Sequence, residues 1–154
     1  MSDQSPFTTI ATELLQAVEA ALPKLRSISE AEASRPRAPG KWSAKQVIGH
    51  LIDSASNNHQ RFVRAQQGPE LAFPPYAQEH WVGCQHYSDR PWDEIVSLWH
   101  AYNRHLAHVI THIPEGKRNV PCVIESTEPV TLGFLAHDYG VHLRHHLARV
   151  GVSV

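Results

Sequence analysis

Twelve histidines in a chain of 154 residues are its compositional outlier. Two of them, His142 and His146, stand four apart in the run Asp138-Tyr139-Gly140-Val141-His142-Leu143-Arg144-His145-His146. On an α-helix four residues rise about 6 Å and return nearly to the same face, so both imidazoles can reach one point. That is how a helix offers two nitrogen ligands to one metal ion. His145 points roughly a quarter-turn away from His146. The helix that carries the pair spans 131 to 150, with Thr131 as its N-cap and an inward stripe of Leu132, Leu135, Tyr139, His142 and His146. Histidines within an apolar stripe argue for a function. His108 and His112 repeat the spacing and compete for it. They lie on different flanks from His105 with no acidic or histidine partner nearby, so solvated or helix-capping roles suit them better.

A pair of imidazoles needs a third ligand. Ser43 precedes Gln46 in capping-box register, and Val47, Leu51, Ala55 and Phe62 follow at helical spacing, which predicts a helix over 44–67 stopped by Gly68-Pro69. His50, Ser54, Asn57 and Arg61 form a polar strip along the edge of that stripe. His50 is there either a hydrogen-bonded core residue or a ligand looking into the interior of a bundle.

The remaining elements would position these groups. Ile10, Leu14, Val18, Leu22 and Leu25 predict a first helix over 7–26, which Pro23 should kink or split. A short turn restarts at Ser29, and 35–40 reads as a loop. Residues 68–90 are the least regular part, with a stiff turn at Phe73-Pro74-Pro75-Tyr76 and a short helix over 78–86. They should cover one end of the bundle, Trp81 packing beneath, or alternatively form a substrate lid. Ile95, Trp99, Tyr102, Leu106, Val109 and Ile113 mark a third long helix from Pro91 to Pro114. Val120 to Ile124 could pair as a short strand, although two strands alone would be marginal. Four amphipathic helices imply an all-α four-helix bundle in one domain over 1–154, a fold that builds metal sites from facing helices.

A net charge of −1 and a pI near 6.9 offer no basic field for nucleic acid or anionic lipid. No apolar run approaches the ~20 residues that span a bilayer. The first residues lack the blocks of a signal peptide, and Cys84 and Cys122 suggest no disulfide framework. A cytoplasmic protein is expected.

Gly40-Lys41-Trp42-Ser43, Gly49-His50-Leu51-Ile52-Asp53 and His142-Leu143-Arg144-His145-His146, in that order, resemble the DinB-like superfamily of metal-binding four-helix bundles. The resemblance spans nearly the whole chain and implies an up-down-down-up bundle, commonly a homodimer. It implies His50, His142 and His146 around a divalent metal, nickel or zinc, with His145 outside the set. Leu147-Ala148-Arg149 departs from the Arg-Gly-Gln that often follows the two histidines. The superfamily includes thiol-using transferases, a thiol-dependent isomerase and domains of sulfur-inserting enzymes. The expected function is therefore metal-dependent transfer of a low-molecular-weight thiol to a small-molecule substrate. Alternatives are a metal-dependent hydrolase and a non-catalytic, stress-related metal or small-molecule binding protein. Hydrolysis is disfavoured because no glutamate stands beside the histidines as in His-Glu-x-x-His. Asp53 and Tyr139 are the candidates for orienting a bound histidine or moving a proton, and Asn57 and Arg61 for holding the thiol's polar tail.

Overall fold

The computed structural model describes residues 5–125 and 128–154. Four long helices carry the fold: α1 (Pro6–Arg26), α3 (Ala44–Arg64), α5 (Trp92–Thr111) and α6 (Leu132–Arg149). Two short ones, α2 (Glu30–Ser34) and α4 (Gln78–Cys84), lie in the connections. The capping box of α3 is present, with the Gln46 side chain accepting from the Ser43 N–H at 2.9 Å. Thr131 caps α6 by accepting from the Phe134 N–H at 3.1 Å.

Helix directions follow from contacts between neighbours. Arg144 donates to the carbonyl of Glu13 and Lys24 to that of Ser153, so α1 and α6 advance together. The Trp92 indole donates to the carbonyl of Leu25, while His100 lies 3.0 Å from Glu19, so α5 runs against α1. His50 faces His142 and His146 whereas Phe62 faces Tyr139, so α3 runs against α6. The order is up-down-down-up. His50, near the start of α3, therefore meets the last turns of α6 at the same level of the bundle.

Three features depart from the periodicity. Pro23 does not break α1, which continues to Arg26 and closes with the Ser27 N–H donating to the Pro23 carbonyl at 3.1 Å. A proline in the last turn forfeits one hydrogen bond, with only three helical residues left to follow it. α3 ends at Arg64, before the Gly68-Pro69 stop, in tight turns in which Gln66 and Gln67 donate to Val63 and Arg64. A three-stranded sheet closes the lower end in the order β1 (Leu71–Phe73), β2 (Pro121–Ile124), β3 (Val130–Thr131). Leu71 pairs with Cys122 in parallel, and Cys122 with Val130 antiparallel.

Within 68–90, β1 alone helps to close an end of the bundle. After β1 the chain runs back along α3, and the ring of Tyr87 lies on Gly49, where a Cβ would approach its Cδ2 to 2.3 Å. Glycine is thus required at position 49 for this segment to dock. Trp92 and Trp99 are 4% and 0% exposed, so they build the core. No helix among the described residues is long and apolar enough to cross a membrane.

Candidate metal centre

His50 on α3 and His142 and His146 on α6 come together, each offering a ligand atom within 4.8 Å of the others. His50 is fully buried and His146 nearly so. Nε2 of His50 and Nε2 of His142 are 3.3 Å apart. Two imidazoles on one tetrahedral cation at 2.0–2.1 Å would stand about 3.4 Å apart, so this spacing fits a shared ion. Nδ1 of His50 and Nδ1 of His146 are buried without a hydrogen-bond partner. Trp42 packs over His50 at 5.2 Å between ring centroids and shields it from water. His145 contacts His146 edge-on but remains exposed.

Burial keeps these imidazoles neutral, the state in which they bind metals. Desolvation, then the neighbouring His142 and Arg149, hold His50 down to about 4. Desolvation, followed by His142 and His50, holds His146 down to about 3. His142 is also lowered by burial, with Asp138 pulling the other way. Three neutral nitrogens without a carboxylate among them suit borderline divalent ions such as zinc and nickel over magnesium or calcium.

Asp53 and Tyr139 direct their hydrogen bonds away from the histidines. Asp53 accepts from the Tyr87 hydroxyl at 2.6 Å and from Gln85 Nε2 at 2.7 Å, which fastens the 78–89 segment onto α3. Burial raises its pKa against the opposing pull of those two hydrogen bonds. Tyr139 donates to Oδ1 of buried Asn103, whose amide donates to the carbonyl of Trp99. The Asn57 amide is occupied too, donating to the Asp53 carbonyl at 2.9 Å.

A cavity of about 230 Å³ opens beside His142. Ser54, Asn58 and Arg61 line it from α3, Pro75, Tyr76 and Gln78 from the returning segment, and Leu135, Asp138 and Tyr139 from α6. Asn58 thus takes the place in the polar strip that spacing gave to Asn57, because four-residue steps from His50 pass through Ser54 to Asn58. Asp138 was overlooked, although it precedes His142 by the same interval that pairs the two histidines. A larger recess of about 700 Å³ between α1 and the start of α6 is lined by none of the three histidines.

Relatives of the chain carry names that bear on this site. It is 21% identical over 130 residues to a protein of Oceanobacillus iheyensis named a "putative metal-dependent hydrolase", covering 84% of this chain and 75% of that one. A Bacillus cereus protein of the same name is 24% identical over 130 residues, covering 82% and 72%. Among solved structures, YfiT from Bacillus subtilis, described as a "probable metal-dependent hydrolase with an unusual four-helix bundle topology", superposes with a TM-score of 0.71 at 21% identity, covering 96% of this chain and 85% of that one. The family profile of the DinB superfamily matches residues 13–150, and with the bundle order and the three converging histidines in place, the chain belongs to that superfamily.

Proposed function

We propose that this protein is a metal-dependent hydrolase of a small molecule, with His50, His142 and His146 holding one divalent ion, zinc or nickel. The carrying observation is Asp138, an exposed carboxylate one helical turn before His142 on the wall of the same cavity. It answers the objection that no carboxylate stands beside the histidines. A divalent cation held by these three imidazoles would keep open positions and would supply an acidified water. Asp138, on the cavity wall, would serve as the general base and acid that holds and releases the proton. Tyr76, Ser54 and Asn58 offer hydrogen bonds to orient the substrate, and Trp42 keeps solvent from the buried side of His50. The names of the relatives support the same reading.

Thiol transfer is the second reading, favoured by Arg61, which lines the cavity and could hold the carboxylate of a small thiol. The test is to assay zinc- and nickel-loaded protein on ester, amide and phosphoester panels, with and without cellular thiols. Hydrolysis without thiol supports the proposal, and turnover that requires thiol replaces it with the second reading. Homodimerisation belongs to the proposal as well, supported by Phe134 and Val141, a heptad apart on α6 and 51% and 49% exposed. Light scattering at low micromolar concentration should give twice the mass of the chain.

A further inference from the structure

We infer that the substrate carries a compact anionic group, a carboxylate or phosphate monoester, which Arg61 binds while the reacting bond lies toward His142 and Asp138. The cleavage rests on the hydrolase reading, whereas the anion rests on Arg61 itself.

Arg61 is only 9% exposed, and its Nε is buried without a hydrogen-bond partner. Among the described residues it forms no ion pair within 4.0 Å. The ring of Phe73 lies 5.4 Å from the guanidinium carbon. Ser54, Asn58, Tyr76 and Gln78 on the cavity wall are neutral hydrogen-bonding groups, and Asp138 is the one acid there. An arginine stays charged in a protein, so a buried guanidinium without a counter-charge is strongly unfavourable. The other deeply buried cation is treated differently. Lys45 is 4% exposed and is paired with Glu30, which also accepts from the Trp92 N–H. The fold can therefore neutralise a buried cation and does not do so at Arg61.

The planar guanidinium fork matches carboxylate and phosphate oxygens. Arg61 follows His50 by eleven residues, a rise of about 16 Å, and helical side chains lean back toward the N-terminus. The anion then sits on the order of 10 Å from the histidines. The cavity of about 230 Å³ holds about eight water volumes. Such dimensions select an elongated small molecule with its charge at one end and its labile bond several bonds away.

The test is calorimetric titration of the full-length chain with N-acetylglycine, methyl phosphate and the neutral N-acetylglycinamide. It is run on zinc-loaded protein and on the His146→Ala variant, which separates binding at Arg61 from binding on the ion. At least one anion should bind about tenfold or more tightly than the amide in both proteins. Arg61→Gln should remove that preference and Arg61→Lys should keep part of it, each with zinc content unchanged. Equal affinity for anion and amide in the unsubstituted chain overturns the inference and needs no variant. So does anion binding that survives Arg61→Gln or vanishes with the zinc. Which anion wins identifies carboxylate or phosphate. Anion preference without turnover of any ester, amide or phosphoester would sink the hydrolase reading and leave this inference standing.

Discussion

Two pairs of histidines in this molecule share one spacing and nearly one geometry, yet their surroundings differ completely. The rings of His142 and His146 are 4.5 Å apart and those of His108 and His112 are 4.4 Å apart. The α6 pair, His146 buried and His142 half-buried, faces a third imidazole, that of His50, on an opposing helix, and Nδ1 of His146 and of His50 are buried without a hydrogen-bond partner. The α5 pair is exposed at the end of its helix, and Nδ1 of His112 is bonded to the carbonyl of His108 at 2.8 Å. A neighbouring pair, His59 and His105, also approaches within 5.2 Å, but Nδ1 of His59 is held by the Tyr102 hydroxyl at 2.9 Å. Spacing on one helix is thus necessary for a two-nitrogen bite, and the opposing helix decides whether it becomes a site.

The sharpest way to break that comparison is to count metal. His50→Ala, His142→Ala and His146→Ala should each weaken zinc binding by roughly 100-fold or more, since loss of outer partners alone costs 10–100-fold. His145→Ala and the double variant His108→Ala/His112→Ala should bind as before. Competition with a calibrated chelator measures all of these. A deficit confined to the α5 variant would reverse the assignment.

Activity gives the next largest effect. Asp138→Asn should lower hydrolytic kcat by about 10²–10⁴-fold, the usual worth of a general base, at unchanged zinc content. Asp138 is exposed, so melting temperature should barely move. An unchanged kcat removes Asp138 from the proposed chemistry and leaves the three histidines untouched.

Much of this is legible in the sequence. The stripes of α1, α3, α5 and α6, the Ser43–Gln46 box and the Thr131 cap are local, and each appears within a few residues of its expected place. The convergence of His50 with the α6 pair followed from a family resemblance as much as from spacing. What was not legible depends on contacts distant in sequence. β1 is three residues long and pairs in parallel with a strand some fifty residues away, which leaves no periodic trace. The role of Asp53 needed Tyr87 and Gln85, brought back along α3 by a segment whose docking depends on Gly49. The full burial of Trp92 and Trp99 was not legible either, because amphipathic spacing cannot say how much of a helix its neighbours will cover.

The pH dependence of the metal-free protein separates the two pairs by a smaller margin. An unfolded histidine titrates near 6.5, whereas His50 and His146 are held down to about 4 and about 3. Below pH 6.5 the unfolded chain therefore binds more protons than the folded one, so stability must fall as pH falls. The stability contributed by the neutral imidazoles is intact above 6.5 and declines until the folded-state values are passed. From pH 7 to 5 each should cost roughly 2 kcal/mol, and less when summed because the two rings interact. Urea unfolding midpoints should record the loss, and His50→Gln should flatten the profile. An identical slope in His50→Gln would place the acid sensitivity elsewhere.

The smallest effect belongs to the exposed pair, and it tests whether that pair has a structural use. His112 is the C-terminal cap residue of α5, and its ring donates from Nδ1 to the carbonyl of His108, one of the acceptors a helix end leaves without an internal partner. Alanine at 112 removes that donor from a position where water can replace it. The cost should be a few tenths of a kcal/mol, at most about 1 kcal/mol, the lower part of the range for a hydrogen bond. Asparagine, whose amide can also donate, should recover part of it, whereas His108→Ala should leave the bond to the backbone carbonyl intact and cost less. A double-mutant comparison by thermal unfolding resolves the three. If His112→Ala loses more than about 2 kcal/mol, the α5 histidines take part in the packed structure, beyond what an exposed cap can account for. The contrast between one buried and one solvated pair would then have to be redrawn.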